Sequence, residues 1–205
     1  MFLDKKATSI IEAMVVILIV VTGVIGMFKV YTNSQKLSAS TANKIQAIQI
    51  AREGIEGVKN IRDTNWILFA SDNKNCWNVF DYNNSCIGDT SSDKNKFDIL
   101  AGSYKISQNS DNRWYLDLKR TTETLFSKSD YRNEMEVGLD INGFFTQSGA
   151  VSEIIPLFTR EIKISYTTNS NDPKMEVISV VRWKDLASNR PHKVEFKSIL
   201  TNWKK

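Results

Sequence analysis

The chain has 205 residues, 41% of them hydrophobic and 24% charged, with nine glycines and three prolines, a balance that excludes a disordered, collagen-like or linker-type chain. Two cysteines and one histidine, His192, are too few for a four-ligand Cys/His zinc site. The net charge of +4 lies entirely at the front: residues 1–62 carry eight Lys/Arg against four Asp/Glu, and residues 63–205 carry nineteen of each. A neutral bulk argues against a basic nucleic-acid-binding domain.

From Thr8 to Phe28 runs TSIIEAMVVILIVVTGVIGMF, 21 residues with a single charge, Glu12. As a helix it would be about 31 Å long, close to the hydrocarbon thickness of a bilayer. Lys5 and Lys6 precede it and favour a cytoplasmic N-terminus. A cleaved secretory signal would have small residues closing an apolar stretch of about 7–15 residues. Here the run continues past Thr22, Gly23 and Gly26, so we expect an anchor in which the apolar run itself is not cut. Two readings of Glu12 stand. It is an interfacial residue that snorkels or takes a proton, or a charge kept for a positive group at the same depth in a neighbouring copy.

KKATSIIEAMVVILIVV resembles the N-terminus of type IV prepilins and type II secretion pseudopilins. The resemblance implies a basic leader, residues 1–7, cut on the cytoplasmic side by a prepilin peptidase between Ala7 and Thr8. It implies N-methylation of Thr8. Glu12, at the fifth mature position, would make an assembly salt bridge with the N-terminal amine of an adjacent subunit. Three positions depart from the family pattern: Ala7 stands where Gly is usual, Thr8 where Phe is usual, and Lys29 where many members have Pro.

After Phe28 the helical pattern continues without a breaker. Val30, Leu37, Ile45, Ile48, Ala51, Ile55, Val58 and Ile61 recur at helical spacing, so residues 29–62 read as an amphipathic half of one helix about 80 Å long from Thr8. It should stop at Asp63-Thr64-Asn65. Gly54 and Gly57 are either close-approach points or the start of fraying. A plain anchor with a juxtamembrane coiled coil is the alternative to a helix packed on a head.

Residues 63–205 form the expected extracytoplasmic head. Its 71–95 segment is rich in Asn, Ser and Asp and reads as a loop. Cys76 and Cys86 bracket nine residues of it and are read as a disulfide, the alternative being two free thiols in a reducing compartment. Trp77, Phe80 and Tyr82 inside it are either a contact surface or packing against the head. Beyond the loop the period becomes two: Tyr104 and Ile106; Trp114, Leu116 and Leu118; Met135 to Ile141; Phe158 to Tyr166; Met175 to Trp183; Val194 to Leu200. Asn142-Gly143 marks a type I′ hairpin returning through Phe144 and Phe145. Short connections favour antiparallel pairing, and the amphipathic helix is the available cover for the apolar face. The fold class is α+β. The segments AREGIEGVKNIRDTNW, LDINGFF, PLFTREIKI, VISVVRW and KVEFKSILTNW are similar to minor pilins of the V kind and minor pseudopilins of the I kind.

No arrangement for nucleophilic catalysis and no Walker-type phosphate loop is present, and no cofactor or metal is expected. His192, after Pro191, reads as a solvated turn residue. Asp140-x-Asn142-Gly143 opens like a calcium loop, but Phe144 and Phe145 break the EF-hand spacing. Asp72, Asp81, Asp89 and Asp93 of the 71–95 loop are either oxygen donors around an ion or solvated loop residues, and the second reading is the expected one. The expected function is a structural filament subunit, not an enzyme. Its partners would be other subunits, the prepilin peptidase, an inner-membrane assembly platform and, before assembly, lipid. It would sit as a single pass in the inner membrane, head outside the cytoplasm, before joining the filament. The alternative is a filament-borne module that binds surfaces or DNA through the Cys76–Cys86 loop.

Overall fold

The computed structural model describes residues 5–88, 98–109, 111–119, 135–139, 145–147, 153–167, 174–184 and 190–202. It holds one long helix, α1 (Lys5–Leu68), a one-turn helix α2 (Asn73–Cys76), and strands β1 (Gly102–Gln108), β2 (Trp114–Lys119), β3 (Glu136–Leu139), β4 (Phe145–Thr146), β5 (Glu153–Thr167), β6 (Lys174–Lys184) and β7 (Pro191–Thr201). The fold is α+β. Two compact units divide it, residues 1–44 and 45–205, with α1 contributing to both.

In the first unit α1 is long and apolar enough to cross a membrane, and none of its apolar window is buried by protein. The hydroxyl of Thr22 donates to the carbonyls of Leu18 and Ile19, and that of Thr41 to Leu37, so these side chains leave no polar group unsatisfied on the helix surface. The expected apolar stripe is not covered here: Val30 is 71% and Leu37 70% exposed.

In the second unit the helix face that packs is Ala47, Ile50, Ala51, Gly54, Ile55, Gly57, Val58, Ile61 and Trp66. This corrects the expected stripe, which contained Ile45 and Ile48. Ala51, Ile55, Val58 and Ile61 of that stripe are buried as expected, but Ile45 is exposed and Ile48 only half-buried, and Ala47 and Ile50 pack in their place. The helix also runs past Asp63-Thr64-Asn65 to Leu68. Asn65 does not stop it because its side chain points inward, and Nδ2 donates to the carbonyls of Trp77 (3.4 Å) and Val79 (2.9 Å).

All seven strands form one sheet, and every pairing is antiparallel. One edge of β5 pairs with β6 from Phe158↔Trp183 to Thr167↔Lys174, and β6 pairs in turn with β7. The other edge of β5 is shared: β1 takes Ile162–Ile164, while β3 pairs Glu136 with Thr159 and Gly138 with Ile154, with a register shift between them. Phe158, Ile162 and Ile164, with Met175, Val177 and Val181 opposite, lie on the helix-facing side. β3 and β4 pair as the expected hairpin, Leu139 opposite Phe145, while Asn142-Gly143 and Phe144 lie outside the described residues.

Gly54 and Gly57 let α1 approach the sheet. A Cβ on Gly54 would sit 2.7 Å from Ser179 Oγ and 2.8 Å from Ile162 Cδ1; one on Gly57 would sit 2.5 Å from Ile106 Cδ1 and 2.9 Å from the Trp114 ring. They are close-approach points, not a frayed end. Gly57→Ala gains about 1 kcal/mol of helix propensity. Overpacking costs about 1–3 kcal/mol, so we expect a net loss. Thermal denaturation checks this, and a raised midpoint would show that Ile106 repacks freely.

Candidate functional site

Ala7 and Thr8 lie in the first turns of α1. Glu12 follows one turn later, about 6 Å further along the axis, and is exposed. It is the single acidic residue between Asp4 and Glu53, in a segment whose other exposed side chains up to Phe28 are almost all apolar. The residues three and four places on, Val15 and Val16, are exposed and apolar and give it no polar contact.

The second candidate is the loop after α1. The structure joins Cys76 to Cys86, with Cα atoms 5.4 Å apart, and packs the sulfurs with Phe69 and Val79. The segment is more ordered than a plain loop. It contains α2 and two single 3-10 turns, Phe80–Tyr82 and Asn84–Cys86. Asp72 Oδ2 accepts from Asn75 Nδ2 and from the Gly88 backbone N–H, both at 2.9 Å. Asp81 and Tyr82 both take positive φ, 52° and 53°, an uncommon conformation for two successive non-glycine residues. The Tyr82 hydroxyl holds that turn by donating to the Trp114 carbonyl at 2.6 Å, and Arg113 lies over its ring. Burial, with the Asp117 carboxylate beside it, holds the Asp81 pKa above the ordinary range.

The aromatic contact surface considered for this loop is not there. Trp77 is 3% exposed and belongs to the main core, and Phe80 and Tyr82 pack partly buried against it. Their apolar area is spent on the fold. His192 is also not a solvated turn residue. It begins β7, opposite Trp183, and stacks on that indole with ring centroids 5.2 Å apart. Among the described residues no three His, Cys, Asp or Glu side chains gather in a metal-binding group. Asp89, Asp93, Asp140 and Asn142 lie outside the described residues.

Sequence reasoning missed one polar constellation. Arg160 is 0% exposed and sits on the helix-facing side of β5. Its Nη1 donates to Glu53 Oε1 (2.9 Å) and the Ile50 carbonyl (3.4 Å), its Nη2 to the Ile106 carbonyl (2.9 Å), and its Nε to Gln147 Oε1 (3.1 Å). Burial lowers the Arg160 pKa while the Glu53 carboxylate raises it. Gln147 in turn donates through Nε2 to the Arg160 and Met135 carbonyls. The group fills the gap between β1 and β3 on the shared edge of β5 and ties both to α1. With each of its three guanidinium nitrogens donating to protein, Arg160 is the centre of a structural node.

On the other face Glu161 accepts from Ser103 and Arg182. Burial raises its pKa, but those hydrogen bonds, with Lys163 nearby, outweigh it and leave the carboxyl below its usual value.

Comparisons with protein-family models, with curated proteins and with solved structures find no match.

Proposed function

We propose that this chain is a structural subunit of a filament, a minor pilin or pseudopilin of a type IV pilus or type II secretion system. The single observation that supports the reading is the N-terminal part of α1: an apolar, unburied span with one carboxylate, Glu12, near its start. Behind it α1 continues and presents its apolar face to an antiparallel sheet. In this reading residues 8–28 hold the chain in the inner membrane, head outside the cytoplasm, until assembly. The prepilin peptidase removes residues 1–7 between Ala7 and Thr8, and the new amine on Thr8 is methylated. Glu12 then meets the amine of an adjacent subunit, in surroundings of low dielectric that strengthen the pair. The amine exists only after cleavage, so processing precedes assembly. The disulfide suits a head exported to an oxidising compartment.

Intact mass of membrane-extracted protein tests the processing step. The expected result is loss of MFLDKKA and one added methyl; a mature chain still beginning at Met1 in cells with an active peptidase overturns it. Glu12→Gln tests the assembly step, because the amide keeps the shape and removes the charge. We expect the variant to stay membrane-bound, since removing a carboxylate from lipid relieves up to about 3 kcal/mol. It should be depleted from sheared filaments. Incorporation at the wild-type level would leave Glu12 an interfacial residue.

A further inference from the structure

Between residues 13 and 51 the chain has three lysines, Lys29, Lys36 and Lys44, and no carboxylate. All three are exposed, and among the described residues none is paired with an acid. Five lysines of the second unit behave differently: Lys59, Lys105, Lys163, Lys193 and Lys197 are each within 4 Å of a carboxylate, at distances from 2.7 to 3.8 Å. Residues 29–44 thus carry positive charge with no carboxylate among them, beginning at the residue after the apolar span.

Depth separates the three lysines. The headgroup layer adds about 5–7 Å to each side of the hydrocarbon core. Lys29 follows Phe28 directly. Lys36 is eight residues beyond Phe28, about 12 Å, but long helical side chains lean toward the N-terminus, which brings its ammonium back by about one turn, 5.4 Å. Lys29 and Lys36 are seven residues apart and differ by about 20° around the axis, so they form one stripe. Tyr31, about 160° from Lys29 around the axis, is 61% exposed at the same level, where an amphipathic ring suits a membrane interface. Lys44 is about 24 Å beyond Phe28, so with the same lean its ammonium stands about 12–14 Å beyond the headgroup layer, more than one Debye length of about 8–10 Å.

We propose that Lys29 and Lys36 form an interfacial site for anionic phospholipid headgroups that fixes the depth of α1 in the bilayer before assembly. The site rests on the reading of residues 8–28 as a membrane span. Each ammonium meets a separate lipid phosphate, and Lys44 takes no part.

The test uses the full chain in phosphatidylcholine vesicles with and without phosphatidylglycerol. A fluorophore is placed on Asn33→Cys, since Cys76 and Cys86 are bonded to each other. Quenching by a quencher carried on the anionic headgroup is compared with quenching by one carried on the zwitterionic headgroup. We expect an anionic preference of about five-fold for each lysine in contact, reduced by added salt. It should fall to near one in Lys29→Gln/Lys36→Gln and persist in Lys44→Gln. A chain that floats with the vesicles but shows no preference, or whose preference survives the double substitution or follows Lys44, overturns the lipid site and leaves the span standing. A chain that floats with neither vesicle overturns the span reading itself, and the lipid site with it.

Discussion

Arg160→Ala is expected to cost about 3–5 kcal/mol, the range seen when one partner of a buried pair is removed. Against a total stability of about 5–15 kcal/mol for an ordinary domain, that is a large fraction. The loss is spread over several groups. Glu53 loses the Arg160 guanidinium, the Ile106 and Ile50 carbonyls lose a donor, and Gln147 Oε1 loses one of the two donors it accepts from, keeping the Ile106 N–H. A cavity opens where α1 meets the sheet. Arg160→Met fills most of the volume with apolar atoms, so its cost should be clearly smaller than that of alanine, and smaller still when combined with Glu53→Gln. Urea titration of the full chain in detergent, followed by tryptophan fluorescence, measures all three. A loss below about 1 kcal/mol for alanine would mean that water or neighbouring donors replace the guanidinium.

Cys76→Ala with Cys86→Ala should cost roughly 2–3 kcal/mol, because closing a loop of this length restricts the unfolded chain by about that amount. The sequence separation is 10, and both sulfurs are buried with Phe69 and Val79, so the effect is local. We expect loosening to reach Asn65 and Trp66 at the end of α1, since Asn65 hydrogen-bonds the carbonyls of Trp77 and Val79 within the loop. Hydrogen exchange of residues 65–82 should rise more than that of β6. Uniform exchange across the second unit would show instead that the bond stabilises the whole sheet.

Much of this architecture was legible because two periods are clean. The step of two through Met175, Val177, Val181 and Trp183, and through Tyr104 and Ile106, placed strands that the structure contains. The apolar run from Ile10 to Phe28 placed the exposed span. The helix face was legible from Ala51 through Ile55 and Val58 to Ile61, with Gly54 and Gly57 as close-approach points, but its start at Ile45 and Ile48 was misread, because Ala47, which packs there, is small and carries little apolar signal. The helix stop was misread because Asn65 looks like a cap residue in sequence and acts here as a buried donor. Arg160 was passed over for a similar reason. It occupies an inward position between Phe158 and Ile162, and its acidic partner is 107 residues away. The available signal was a charge in apolar phase on β5 and a carboxylate, Glu53, next to Gly54 on the packing helix. The burial of Trp77 follows from the tertiary fold alone.

The same separation has a consequence for synthesis. Residues 47–58 of α1 are made early, and β5 to β7, which cover them, are made last: Arg160 reaches back 110 residues to Ile50. At about 5–20 residues per second, the face of Ala47, Ile50, Ile55 and Val58 waits on the order of ten seconds for its sheet. A chain halted before β6 would leave that face open in addition to the exposed apolar run of residues 10–28. The head therefore matures as a late event, set by the arrival of its C-terminal strands.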